Sequence, residues 1–275
     1  MNQIIIATSR YGDEIEALLK IGLAEQINKG LLNLDKYQAG KYKFLALNII
    51  KTNLLSSTND CFLTKVSSIL AKIYVDFWEK DLISKIAAFE YPYFKREELE
   101  RIKNNAVKIL TLDREREVGK KIYEFLLENS LINLDGFILF RLQKEVSEIY
   151  HSLDLAVEEQ ILEKEYQEFI KVVKCFLEIQ PVKVRMVQVF WVNGYLVLVD
   201  EHQRKVEDEF IENLLTQSQR LFLEDILISA LISLAPEKII IHRHDDSLNF
   251  DLKPIKDIFE ERVEICTKCE GYREG

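Results

Sequence analysis

The residues best suited to chemistry cluster near the carboxyl end of the chain. His242-Arg243-His244-Asp245-Asp246 and Cys266-Thr267-Lys268-Cys269, the only Cys-x-x-Cys, bring two imidazoles and two thiols into one region of sequence. Two thiolates and two imidazoles are a standard tetrahedral zinc set. His242, His244, Cys266 and Cys269 are therefore the candidate metal ligands, and zinc the candidate metal. Asp245 and Asp246 add groups able to serve as acid, base or further ligand in a metal-assisted hydrolase. Each feature also has an ordinary reading. A turn after a strand favours Asp, a single Cys-x-x-Cys lacks the second pair of a zinc finger, and a half-buried His242 followed by a solvated His244 needs no metal. A thioredoxin-type redox pair belongs between a strand and a helix N-terminus, whereas six residues follow Cys269 here.

For these groups to meet, the segments carrying them must be neighbouring strands. Lys238-Ile239-Ile240-Ile241-His242 reads as a buried strand, Leu252 to Glu260 as a short helix and Arg262 to Cys266 as a last strand. A strand-helix-strand order implies a parallel pair, which sets both clusters beyond adjacent carboxyl ends, where open α/β sheets commonly bind ligands. Upstream, Val184–Val192 and Tyr195–Asp200 flank Asn193-Gly194, the strongest short-range hairpin signal. Pro236 ends a helical segment that starts near Glu207.

The rest of the chain predicts an α+β protein with a helical middle. Residues 1–57 read as β-α-β: a β-branched run from Gln3 to Ser9, a helix to Lys29 stopped by Gly30, and a strand from Tyr42 to Ile50 after the Ala39-Gly40 turn. Residues 58–180 form the helical region, with Thr58, Asn59 and Asp60 as caps, a helix ending near Tyr91-Pro92, and two more over about 96–110 and 114–129. The stretch 129–136 reads as a loop. From Phe137 to Gln180 there is no Gly or Pro, and Leu139, Leu142, Val146, Ile149, Leu153, Ala156 and Ile161 recur at helical spacing. One helix over that span would reach about 66 Å, so a break is expected near Glu163. The stripe reads as bundle core in preference to a partner surface. Residues 181–275 form a C-terminal α/β region, either separate or one unit with 1–57, the strands of both ends then sharing a sheet.

Composition removes several classes. With 37 Lys and Arg against 46 Asp and Glu the formal charge is −9, which disfavours nucleic acid as an obligate partner, since phosphate neutralisation needs clustered cations. Arg141, Lys144, Lys171 and Lys174 form a basic strip that neighbouring glutamates dilute. No apolar run approaches the roughly 20 residues of a membrane span, and the opening nonapeptide lacks a basic n-region, so a cytoplasmic protein is expected. Cys61 and Cys175 sit in apolar helical pattern and are expected in the core. The mixed runs 95–98 and 113–117 read as solvated helix faces. Phosphate-loop, dinucleotide, serine-hydrolase and zinc-protease motifs are all absent from the sequence.

Gly136-Phe137-Ile138-Leu139-Phe140-Arg141-Leu142, Glu165 to Ile170, Phe176 to Gln180 and above all Glu224-Asp225-Ile226-Leu227-Ile228-Ser229-Ala230-Leu231-Ile232-Ser233-Leu234-Ala235-Pro236 resemble the YtxC-like sporulation family of endospore-forming bacteria. The resemblance covers roughly the last 140 residues. It implies a cytoplasmic sporulation protein with no established activity, substrate or cofactor, and transfers no site residues. Arg141 is expected to pair with Glu165 or Glu168, and Glu224-Asp225 to cap or orient a helix. With no catalytic motif present, the expected mode of action is contact with an unidentified protein partner, the metal-binding module or hydrolase being the alternative.

Overall fold

The consecutive β-branched residues in Gln3-Ile4-Ile5-Ile6 favour a strand. In the computed structural model, which describes residues 3–50, 56–110, 113–192, 195–206, 223–242 and 251–267, they form β1 (Gln3–Thr8), with Ile4 and Ile6 buried. Helices α1 (Gly12–Gly22) and α2 (Ala24–Asn28) follow, then strands β2 (Leu32–Ala39) and β3 (Tyr42–Ile49). Gly22 allows α1 to lie close to the later helix that carries Ile69, because a Cβ there would stand 2.5 Å from Ile69 Cδ1.

The opening is therefore richer than β-α-β. β2 pairs with β3 from Leu32↔Ile49 to Ala39↔Tyr42, around a turn in which Gly40 holds φ +59°, a conformation that costs glycine little. The edge strand β2 alternates apolar and polar residues only over Leu32-Asn33-Leu34-Asp35 and is polar through Lys36 and Gln38, too short a pattern to reveal a strand. A three-residue strand, β4 (Leu131–Asn133), occupies the expected loop and pairs in parallel with β1. The sheet order is β2-β3-β1-β4.

The helical middle contains α3 (Ser56–Ile73), a π-helical turn (Tyr74–Glu79), α4 (Lys80–Glu90), α5 (Arg96–Ile109), α6 (Arg114–Glu128), α7 (Leu134–Arg141) and α8 (Gln143–Ile179). α4 stops at Tyr91-Pro92 as expected, because proline has no N–H for the next helical bond. Thr58, Asn59 and Asp60 fall inside α3, which extends from Ser56, so the expected start lies a little too far along the chain. The break expected near Glu163 is absent: α8 runs 37 residues without interruption, since nothing between Gln143 and Ile179 disrupts a helix and its charged midsection stays hydrated. The actual break comes earlier, at Leu142, between α7 and α8.

The chain divides into two compact units, Met1–Leu162 and Glu163–Gly275. The strands from its two ends form two separate four-stranded sheets, because each sheet closes an apolar core with helices of its own unit. In the second unit β5 (Met186–Val192), β6 (Tyr195–Val199), α9 (Leu223–Leu234), β7 (Lys238–His242), α10 (Lys253–Phe259) and β8 (Val263–Cys266) follow the carboxyl half of α8. The β5–β6 hairpin closes in the register Val192↔Tyr195, its Asn193-Gly194 turn lying outside the described residues, as does the start of the helix expected from Glu207. β5, β7 and β8 are parallel neighbours in the order β6-β5-β7-β8. Leu227, Leu231, Ile239, Ile241 and Ile255 pack there with Ile170 and Val173 of α8.

Candidate functional site

The parallel pairing that the metal reading required is present. β7 and β8 run in the register Ile241↔Ile265 and His242↔Cys266, so the last residue of each strand stands level with the other. His242 is nearly buried. Its Nε2 lies 3.1 Å from Gln188 Oε1, and its ring stacks on Phe190 with centroids 4.0 Å apart and planes within 5°. Strand period places Gln188 and Phe190 on one face of β5, and the β5–β7 register brings His242 to that face. His244, Cys269, Asp245 and Asp246 lie outside the described residues. Among the described residues no group of three or more His, Cys, Asp or Glu side chains is placed to hold a metal.

The other cysteines depart from expectation. Cys61 and Cys175 are exposed, because each sits beside, not on, the buried stripe of its helix: Leu63 and Val66 are buried on α3, Val173 and Leu177 on α8. The long apolar stripe also divides. Leu142, Ile149, Leu153 and Ala156 are buried, the last three against Ile83, Ile86, Ile102 and Ala106, whereas Leu139 and Ile161 are exposed. Arg141 makes no ion pair with Glu165 or Glu168 among the described residues. Glu224 does orient its surroundings, accepting the Asp251 amide at 3.0 Å in the first turn of α9.

A polar centre that the sequence reading missed lies in the first unit. Arg114, placed by sequence on a solvated helix start, is 3% exposed. Its Nε donates to Glu79 Oε2 at 2.5 Å, Nη1 to Glu148 Oε2 at 2.6 Å and Nη2 to the Glu145 carbonyl at 2.9 Å. The Glu145 carboxylate is buried and takes Lys121 Nζ at 2.7 Å. One guanidinium thus ties together the π turn, α6 and α8. Burial pushes the Glu79 carboxyl above its ordinary range against the pull of Arg114, and burial with Glu79 nearby raises the Tyr74 phenol. Tyr74 Oη and Trp78 Nε1 are buried with no hydrogen-bond partner among the described residues, both on the π turn, a geometry frequent at functional sites. Every guanidinium nitrogen already has an acceptor, so the centre works as a latch on helix register. The sequence did carry a signal for it: Arg114 precedes Val118 and Ile122 at i+4 and i+8, on the buried face of α6.

A third feature is apolar and open. On the carboxyl half of α8, Phe169, Val172, Phe176 and Ile179 are exposed, Ile179 by 82%. Their spacing of three, four and three is that of a coiled-coil seam, next to the buried face of Ile170, Val173 and Leu177. Exposed Glu165 and Glu168 lie beside it.

These features describe a two-unit α+β protein with one buried charge latch, one strand-end His–Cys pair and one open helical seam. Residues 64–264 match the model of the YtxC-like family. The chain belongs to that family. It is similar to the uncharacterized protein YtxC of Bacillus subtilis (strain 168), 22% identical over 160 residues that cover 57% of this chain and 56% of the relative; it thus spans just over half of that protein's length. No solved structure matches the chain.

Proposed function

We propose that the protein is a cytoplasmic, noncatalytic sporulation factor that acts by docking an amphipathic helix of a partner protein on the open seam of α8. The single observation behind this reading is the run of exposed apolar side chains at Phe169, Val172, Phe176 and Ile179. Large apolar residues are left in water at coiled-coil spacing where recognition uses them. The glutamates beside the seam favour a helix with basic residues flanking its apolar face. Sporulation enters through the family resemblance. No described helix is long and apolar enough to cross a membrane.

The test is cross-linking from Cys175, exposed beside the seam, in sporulating cells. The expected product joins Cys175 to a basic amphipathic helix of another protein and disappears in V172E/I179E, whose circular dichroism is unchanged. Cross-links that persist in that variant, or that join only copies of this chain, overturn the reading.

A second reading rests on the level pairing of His242 and Cys266: a zinc site completed by His244 and Cys269, serving a metal-binding module or a hydrolase. Elemental analysis of protein purified without an affinity tag decides it. One zinc per chain, lost in C266S, supports the site; substoichiometric zinc with no thermal shift on chelation removes it.

A further inference from the structure

At the end of β1 the chain enters α1 facing the β2–β3 hairpin, and a cleft of about 580 Å³ opens between them. Its volume falls within the range of small-molecule sites. Arg10, Lys36, Lys41 and Lys43 line it, with Asp13 and Glu14 the acidic groups on its wall.

The cations are held in place from behind. Glu16, nearly buried, accepts Lys20 at 2.7 Å, Lys36 at 3.0 Å and Lys43 at 2.7 Å, and Lys43 also reaches Asp13 at 2.6 Å. Three ammoniums converge on one carboxylate, which they hold ionised down to about pH 2. Arg10 is fixed by Asp81 at 2.7 Å and approached by Asp135 at 3.7 Å. Lys41 lies 5.4 Å from the Tyr42 ring and makes no ion pair among the described residues. The floor is stiff: the Ser9 amide donates to Asp135 at 2.7 Å, and the Tyr11 ring packs on Phe77 and Trp78 at 5.3 and 4.7 Å.

A wall of oriented cations, with its compensating carboxylates mostly behind it, suits a ligand of concentrated negative charge. We propose that this cleft binds a phosphate-bearing small molecule, contacted by Lys36, Lys41 and Lys43. A phosphoryl group offers three acceptor oxygens and close to two negative charges at neutral pH, enough to engage several ammoniums at once where a carboxylate would engage fewer. Lys41 supplies a charge that no ion pair neutralises among the described residues. The proposal is independent of the helical seam, which lies in the other unit.

The experiment is calorimetric titration of the full chain with inorganic phosphate and with glucose 6-phosphate at constant ionic strength. Saturable binding is expected, weakened at least tenfold in K36Q/K41Q and several-fold in K41Q alone. Because Lys41 has no ion pair to lose among the described residues, K41Q reports on binding with the fold intact. K120Q, which removes an exposed lysine elsewhere, is expected to bind as the unaltered chain does. Tighter binding of the sugar phosphate identifies a phosphoester ligand, and equal binding identifies phosphate itself. Non-saturable heats, or equal losses in K41Q and K120Q, overturn the proposal.

Discussion

In the amino-terminal unit Glu16, Glu79, Arg114 and Glu145 are all buried, whereas in the carboxy-terminal unit the described buried side chains are apolar apart from His242. The two units solve the same problem differently. The second stacks β7 and β5 against α9 and α8 with Ile, Val and Leu, where each buried side chain contributes about 1.5–3 kcal/mol and demands little in orientation. The first places a guanidinium where three elements cross. A buried ion pair adds little net stability over an apolar filling, but removing one partner strands a charge. The difference teaches that register among α6, α8 and the π turn depends on a few directional contacts, while the second core depends on volume.

Each unit carries one of the two tryptophans, Trp78 and Trp191, so W191F and W78F backgrounds report on them separately. The largest effect is expected for Arg114→Leu, which leaves the buried Glu79 carboxylate without its main partner and the Glu145 carbonyl without its donor and costs about 3–5 kcal/mol in the urea unfolding followed by Trp78. An unchanged midpoint would show that the latch contributes nothing. Leu231→Ala, at a buried site of the second core, is expected to cost about 2–4 kcal/mol in the transition followed by Trp191 and to leave the Trp78 transition in place.

Acid separates the units next. Glu16 has a folded-state pKa of about 2 against an ordinary 4.5, so its contribution is present above about pH 4.5 and is lost as pH falls toward 2. The Trp78 transition should weaken over that window, and Glu16→Gln should flatten the dependence. Equal slopes in the two proteins would remove Glu16 as the cause. The smallest effect on stability belongs to V172E/I179E, within about 0.5 kcal/mol for each exposed site. A larger loss by thermal melting would mean that the seam packs within its own fold.

The contrast also explains what could be read in advance. The β7–β8 pair and the β5–β6 hairpin were legible because short apolar runs bounded by Pro and Asn-Gly have few alternatives. β2 was not, since an edge strand faces water and its alternation stops after Leu32-Asn33-Leu34-Asp35. Arg114, Glu79 and Glu145 are not legible from charge type, which points to a solvated face; only their position points inward. Arg114 stands on the stripe of Val118 and Ile122, Glu79 four residues before Ile83, and Glu145 four before Ile149, all buried. Polar residues at core positions pointed to an internal network, but only packing could name its members. Cys175 shows the converse: an apolar neighbourhood in sequence left it on the outer side of its helix.

Sequence alone determined the α+β class, most helix bounds, the parallel β7–β8 pair and the family, because these follow from local periodicity, turn chemistry and residue identity. Tertiary structure decided that the strands form two sheets, that α8 runs unbroken, which half of each apolar stripe is covered, and that one arginine joins three helical elements. Those outcomes depend on which surfaces meet across dozens of residues, and side-chain spacing along one element carries no information about what lies opposite it.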